Sequence, residues 1–212
     1  MAEFTLYCFA QSGNAYKAAL MLNLAGCDWT ARFVDYFNGE TRTPAYRAIN
    51  AMGEVPVLEH KGRRLTQSGV ILDYLAQTTG RFGRKDEDER REILRWLLWD
   101  NHKLTSYTAT LRFMLALAKT GETPVTEFLR QRSQTALGIL DDHLAKNDFA
   151  LGQRPTIADI SMCGYMFFED EFGVSWPQDY PNIGRWLDRI KALKGWVHPY
   201  KLMPGHPLPA RQ

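Results

Sequence analysis

The spacing of apolar and polar positions changes character along the chain. Phe4-Thr5-Leu6-Tyr7-Cys8-Phe9 is a short, nearly continuous apolar run, the pattern of a buried strand. Gln11-Ser12-Gly13-Asn14 then supplies turn and helix-start residues. From Ala15 to Ala25 the pattern is helical, with Ala18, Leu22 and Ala25 on one face and Gly26 as the stop. Thr30 to Tyr36 alternates as a second strand. Thr43-Pro44 opens a short helix to about Asn50, with proline at a first-turn position. Val55-Pro56-Val57-Leu58-Glu59 predicts a third strand, Lys61-Gly62 a turn, and Arg64-Leu65-Thr66 the returning strand of a hairpin. Ser68 is expected to cap a helix whose apolar face is Ile71, Leu72 and Leu75, with Gly80 as its end. A β-α-β half followed by a hairpin half predicts an α/β domain over residues 1–80, with a mixed four-stranded sheet flanked by helices.

After a basic, glycine-containing linker, Arg81 to Lys85, strand patterns vanish. Asp86 to Lys119 predicts one long, bent helical stretch, and Thr123-Pro124 restarts a helix to about Lys146. Thr156-Ile157-Ala158-Asp159 has threonine at an N-cap and aspartate three residues on, a capping box. The helix it opens carries Ile160, Met162, Cys163, Tyr165, Met166 and Phe167, apolar on most sides, and is expected to be the buried centre of a second domain. Pro181 begins a last clear helix with Ile183, Trp186, Leu187 and Ile190 on one face. Residues 86–212 therefore predict an all-α C-terminal helical bundle, its proline-rich tail from Gly195 lying over the surface. No internal repeat is visible.

Composition narrows the function classes. The 212 residues suffice for two compact domains, and 45% apolar with 24% charged residues is ordinary globular composition. The net charge is only +2, and basic residues alternate with acidic ones, so no nucleic-acid partner is expected. No basic leader with a long apolar run opens the chain, and no apolar stretch has the length of a membrane span. Cys8, Cys27 and Cys163 are odd in number and far apart, fitting neither a disulfide framework nor a metal site, so a cytoplasmic setting is expected. The five histidines are scattered and pair with no cysteine or carboxylate at a metal spacing.

Three short segments carry candidate chemistry. Ser12 lies between a strand and a helix, beside unsatisfied amide donors. It is either a plain N-cap or a hydroxyl donor to a bound thiolate. At Val55-Pro56 proline cannot donate a ladder hydrogen bond. An ordinary trans bond at a strand edge and a cis bond turning the Val55 main chain toward a ligand both fit the sequence. At Gln67-Ser68, serine is either a simple cap or, with Gln67, a site for a ligand carboxylate on the helix dipole.

Taken in order along one β-α-β-α-β-β-α unit, these segments resemble the cytosolic glutathione transferase family, in particular its serine-type, bacterial-like members. The resemblance implies a thioredoxin-like N-terminal domain and a cytoplasmic homodimer with a detoxification role. It implies glutathione as co-substrate, no metal, and conjugation of its thiolate to small hydrophobic electrophiles, with reduction of organic hydroperoxides as a further activity. The alternatives are a non-catalytic binding module and a glutathione-dependent lyase or isomerase. Ser12 takes the catalytic hydroxyl position, with Asn14 as an assistant or replacement at the sulfur. Val55 and Pro56 match the cis-proline motif that pairs with the cysteinyl part of glutathione. Gln67 and Ser68 match the pair that binds the γ-glutamyl carboxylate, and Arg42 is the candidate cation for the glycine end. Glu54 departs from the family pattern and places a negative charge beside an anionic ligand, which implies modest affinity. The electrophile is expected between the domains, near Phe9, Ala10, Lys103, Tyr107 and Thr110. A disulfide-exchange activity is disfavoured, because Ser12 and Ala15 stand where the two cysteines would be needed.

Overall fold

A computed structural model describes residues 2–207, with the main chain only at position 172. Two compact units emerge. The first comprises the chain up to Arg81 together with the described tail from Leu193, and the second is Phe82–Ala192.

The first unit contains β1 (Phe4–Cys8), α1 (Gly13–Ala25), β2 (Trp29–Phe33), a 3-10 turn at Glu40–Arg42, α2 (Pro44–Arg47), β3 (Val57–His60), β4 (Arg63–Thr66) and α3 (Ser68–Thr79). The strands form a four-stranded sheet in the order β2-β1-β3-β4. β1 runs parallel to β2, with Phe4 opposite Trp29, and antiparallel to β3, with Tyr7 opposite Val57. β3 and β4 close the hairpin. This is the mixed sheet that the apolar pattern predicts, and the family's thioredoxin-like arrangement.

Three details differ from expectation. First, α1 is buried nearly all round rather than on one stripe. The cause lies at the far end of the chain. The helix α11 (Pro199–Leu202) packs on α1, the Tyr16 hydroxyl donates to the Val197 carbonyl at 2.9 Å, and Asn23 Nδ2 donates to the Gly195 carbonyl at 2.6 Å. The expected second domain reaching Gln212 is corrected accordingly, since the tail from Leu193 as far as it is described belongs to the first unit. Second, β2 ends at Phe33 because the chain turns there, the Asp35 amide donating to Glu40 at 2.7 Å. Third, the short helix stops at Arg47, and Thr43 caps it through the Tyr46 amide.

The second unit begins with α4 (Glu87–Trp99), whose Asp86 cap accepts the Glu89 amide at 2.8 Å. The long helical stretch is carried on by a π turn at Asp100–Leu104, α5 (Thr105–Arg112) and a second π turn at Phe113–Leu117. Asp100, in the first π turn, is buried and accepts Thr105 Oγ1 at 2.7 Å and Ser161 Oγ at 2.5 Å, so its lone pairs are satisfied where the helix is irregular. α6 (Pro124–Leu144) follows its own capping box, Thr123 with Thr126.

The box at Thr156 opens α7 (Ile157–Met162), which is shorter than its apolar pattern predicts. It passes into a 3-10 turn at Cys163–Tyr165, yet the run is buried throughout. Asp159 closes the box and also accepts the Ala150 amide at 2.7 Å and Trp186 Nε1 at 3.0 Å. One carboxylate thus ties a loop, α7 and the helix that carries Trp186 together. The short helices α8 (Glu169–Phe172) and α9 (Trp176–Asp179) lead to α10 (Pro181–Lys191). Its Ile183, Trp186, Leu187 and Ile190 are all buried, as their spacing predicts. Tyr180 gives α10 no side-chain cap, and Asp141 of α6 replaces it by accepting the Asn182 and Ile183 amides, each at 2.9 Å. Among the described residues no helix is long and apolar enough to cross a membrane.

Candidate active site

β1 ends at Cys8, and residues 9–12 turn the chain into α1, the Ser12 amide donating to the Phe9 carbonyl at 3.0 Å. Ser12 has non-helical dihedrals (φ −89°, ψ 109°), and its Oγ accepts the Ala15 amide at 3.1 Å. It is therefore a true N-cap. That bond uses a lone pair of the oxygen. The hydroxyl hydrogen has no acceptor among the described residues, so the same group retains a donor. Ser12 is 7% exposed, at the positive end of a thirteen-residue helix.

The start of α3 adjoins the start of α1. Ser68 Oγ donates toward Asn14 Oδ1 at 3.5 Å, which brings together two of the residues named from sequence. Ser68 is corrected from cap to first helical residue. The cap position belongs to Gln67, which has φ +67° and makes no side-chain capping bond. A positive φ is costly for a residue with a Cβ, and such conformations cluster at binding sites. Gln67 Nε2 instead donates to Glu54 Oε2 at 3.0 Å. These two candidates thus touch each other, and the amide partly satisfies the carboxylate whose charge is otherwise unfavourable beside an anion.

The Val55-Pro56 bond is cis. Pro56 is buried, and β3 begins only at Val57. The Val55 amide and carbonyl have no hydrogen-bond partner among the described residues, which leaves a main-chain donor and acceptor for a ligand.

Sequence reasoning missed the residues that hold this loop. The Glu54 carbonyl accepts the Tyr46 hydroxyl at 3.0 Å and Asn50 Nδ2 at 2.8 Å, while Asn50 Oδ1 accepts the Met52 amide at 3.1 Å. Burial pushes the Tyr46 phenol well above its ordinary range, so it remains a donor. Gly53 is at φ +67°, and a Cβ there would lie 2.9 Å from the Thr41 carbonyl. Arg42 is exposed, and its side chain makes no hydrogen bond among the described residues. The cation that reaches this loop is Arg47, donating to the Ala51 carbonyl at 3.3 Å. The advance sign in the sequence was an arginine and an asparagine, Arg47 and Asn50, shortly before Gly53.

Cys8 is buried, and burial pushes its thiol up to about 12, so at neutral pH it is protonated and unsuited to nucleophilic chemistry. Of the residues expected near an electrophile, Phe9 and Ala10 lie in the loop before Ser12, where Phe9 stacks on Tyr36 at 4.8 Å. In the second unit, Lys103 lies in the first π turn and Tyr107 is half-buried. Thr110 is exposed, with its hydroxyl donating to the Ser106 carbonyl at 2.7 Å. Among the described residues, no group of three or more histidines, cysteines or carboxylates could hold a metal ion.

A thioredoxin-like unit with serine at the first helix start, a cis-proline loop and a Gln-Ser start to the third helix has the arrangement that the resemblance to glutathione transferases implies. Residues 11–78 match the family model for the glutathione S-transferase N-terminal domain, and residues 103–194 match that for the C-terminal domain. The chain belongs to the glutathione S-transferase family of enzymes. It is 32% identical over 168 residues to a maleylacetoacetate isomerase of Rhizobium meliloti (strain 1021), covering 76% of this chain and 78% of that one. A crystal structure of a possible glutathione S-transferase from Rhodopseudomonas palustris is 34% identical, with a TM-score of 0.87, covering 93% of this chain and 98% of the other. A theta-class glutathione S-transferase from Xanthomonas axonopodis pv. citri, solved with glutathione bound, is 25% identical with a TM-score of 0.83, covering 91% and 94%.

Proposed function

We propose that this protein binds glutathione on its first unit and transfers the thiolate to small hydrophobic electrophiles. The observation that carries this reading is Ser12, whose oxygen caps α1 through the Ala15 amide while its hydrogen stays available to a sulfur at the helix terminus. The unpaired Val55 main chain suits the cysteinyl part of glutathione, and Ser68 and Gln67 at the start of α3 suit the γ-glutamyl carboxylate. Asn14 is the neighbour able to assist at the sulfur. Arg42 or Arg47 would meet the glycine carboxylate. Phe9, Ala10, Lys103, Tyr107 and Thr110 remain the candidates for electrophile contact. In the reaction the thiolate forms a C–S bond and the electrophile loses a leaving group, such as chloride from a chlorodinitrobenzene. The protein contributes position and a hydrogen bond to the ionised sulfur. Attack on a hydroperoxide oxygen would use the same thiolate. Conjugation of a chlorodinitrobenzene tests the reading: Ser12→Ala should lower kcat about 10²-fold, in line with loss of one donor to a reacting anion, and unchanged turnover would remove Ser12 from this role.

The likeness to maleylacetoacetate isomerase supports a second reading, an isomerase that uses glutathione without consuming it. Conversion of maleylacetoacetate at constant glutathione concentration would establish it. A cytoplasmic homodimer completes the proposal, and Leu94 and Leu98, exposed one turn apart on α4, offer it an apolar contact.

A further inference from the structure

The tail returns to the loop that carries Ser12. Gln11, only 3% exposed, donates from Nε2 to the His206 carbonyl at 2.8 Å and accepts the His206 amide on Oε1 at 3.2 Å. Its carboxamide thus pairs with the main chain of one residue as a second peptide group would. Beside it, the Ala10 amide donates to the Pro204 carbonyl at 2.8 Å. Between these bonds lies Gly205, where a Cβ would approach Ala10 Cβ to 2.7 Å and Gln11 Oε1 to 3.0 Å. Glycine is required because the Ala10 methyl and the Gln11 carboxamide leave no room for a side chain. The His206 ring then fills a cluster of Phe9, Phe33 and Phe37, with centroids 5.8, 5.0 and 4.5 Å away, and its Nδ1 is 3.6 Å from Asp35. Residues 9, 10 and 11 are thereby each fixed by the tail, and the next residue is Ser12.

We propose that Gln11 is a positioning residue for the thiolate site and that it acts through Pro204-Gly205-His206. This rests on reading Ser12 as the thiolate donor. A donor beside a developing or stabilised anion must be held in place, because a displacement of about 1 Å can cost on the order of 10²-fold in rate. The cap bond to Ala15 fixes Ser12 from the helix side, and the Gln11 clamp fixes it from the loop side.

The test cuts the contact from each side, with Gln11→Leu in the loop and Gly205→Ala in the tail. The thiolate absorbance of bound glutathione is titrated against pH, a readout that a purely structural role would not move. In each variant the bound thiol pKa should rise by about one unit, lowering the thiolate fraction near neutral pH roughly tenfold. The double variant should add little, because both changes break one contact. Wild-type thiol pKa values in both variants would overturn the proposal. Hydrogen exchange at the Ala10 and Ser12 amides separates it from the glutathione reading. If the wild-type protein binds no glutathione, that reading fails, whereas faster exchange in both variants sustains the clamp and unchanged exchange overturns it.

Discussion

The capping role of Ser12 and its proposed role at a thiolate do not compete. Capping needs a lone pair, and thiolate stabilisation needs the hydroxyl hydrogen; the Ala15 contact occupies only the first. Ser12→Thr keeps both groups and should retain most of the turnover that Ser12→Ala loses in the conjugation assay. Cys8 is the contrasting case, four residues earlier, where burial removes reactivity rather than organising it. A thiol raised to about 12 stays protonated through neutral pH and ionises only as the pH approaches that value. Mass spectrometry after iodoacetamide treatment at pH 8 should therefore find Cys8 unmodified in the native protein and modified after denaturation. Native labelling at the rate of a free thiol would contradict the assignment. The side-chain type at position 12 was readable in advance. The identity of its supports was not, because Gln11 reaches a partner 195 positions away and no local period records such a contact.

At the scale of elements, the strands, the long helices and the capping box at Thr156 follow from short-range pattern. Thr156 and Asp159 lie at a spacing that few arrangements other than a helix start can use. Boundaries and interruptions were less legible. Helical periodicity over residues 86–119 does not distinguish α from π turns, and it does not record that Asp100, in the first of them, meets Ser161 in α7. Likewise, Gln67 takes the cap position from Ser68 through a positive φ that its residue type does not favour. Asp159→Ala should be the most damaging single change in the second unit. It strands the Ala150 amide, the Thr156 amide and Trp186 Nε1 in the interior, and a loss of about 3 kcal/mol in urea unfolding is expected. Gly53→Ala should destabilise the first unit and weaken glutathione binding in calorimetry, since the added methyl meets the Thr41 carbonyl at 2.9 Å and alters the path to Val55.

For the whole molecule, the apolar pattern led to two domains, and the structure reassigns the tail between them. A proline-rich stretch without periodicity does not reveal which surface it covers. The proposed homodimer belongs to this scale. Sedimentation should give twice the chain mass, and Leu98→Arg, at a position 63% exposed, should give the monomer with its fold intact. A wild-type monomer would contradict the dimer.

The central claim is that Ser12 holds bound glutathione as a thiolate. The most direct measurement is a pH titration of the thiolate absorbance of glutathione saturating the wild-type protein and the Ser12→Ala variant. The account predicts a bound thiol pKa at least about one unit below the ordinary thiol value of ~8.5 in the wild type, and a return toward that value in the variant. A wild-type complex that titrates like free glutathione, or a variant that titrates like the wild type, would contradict it.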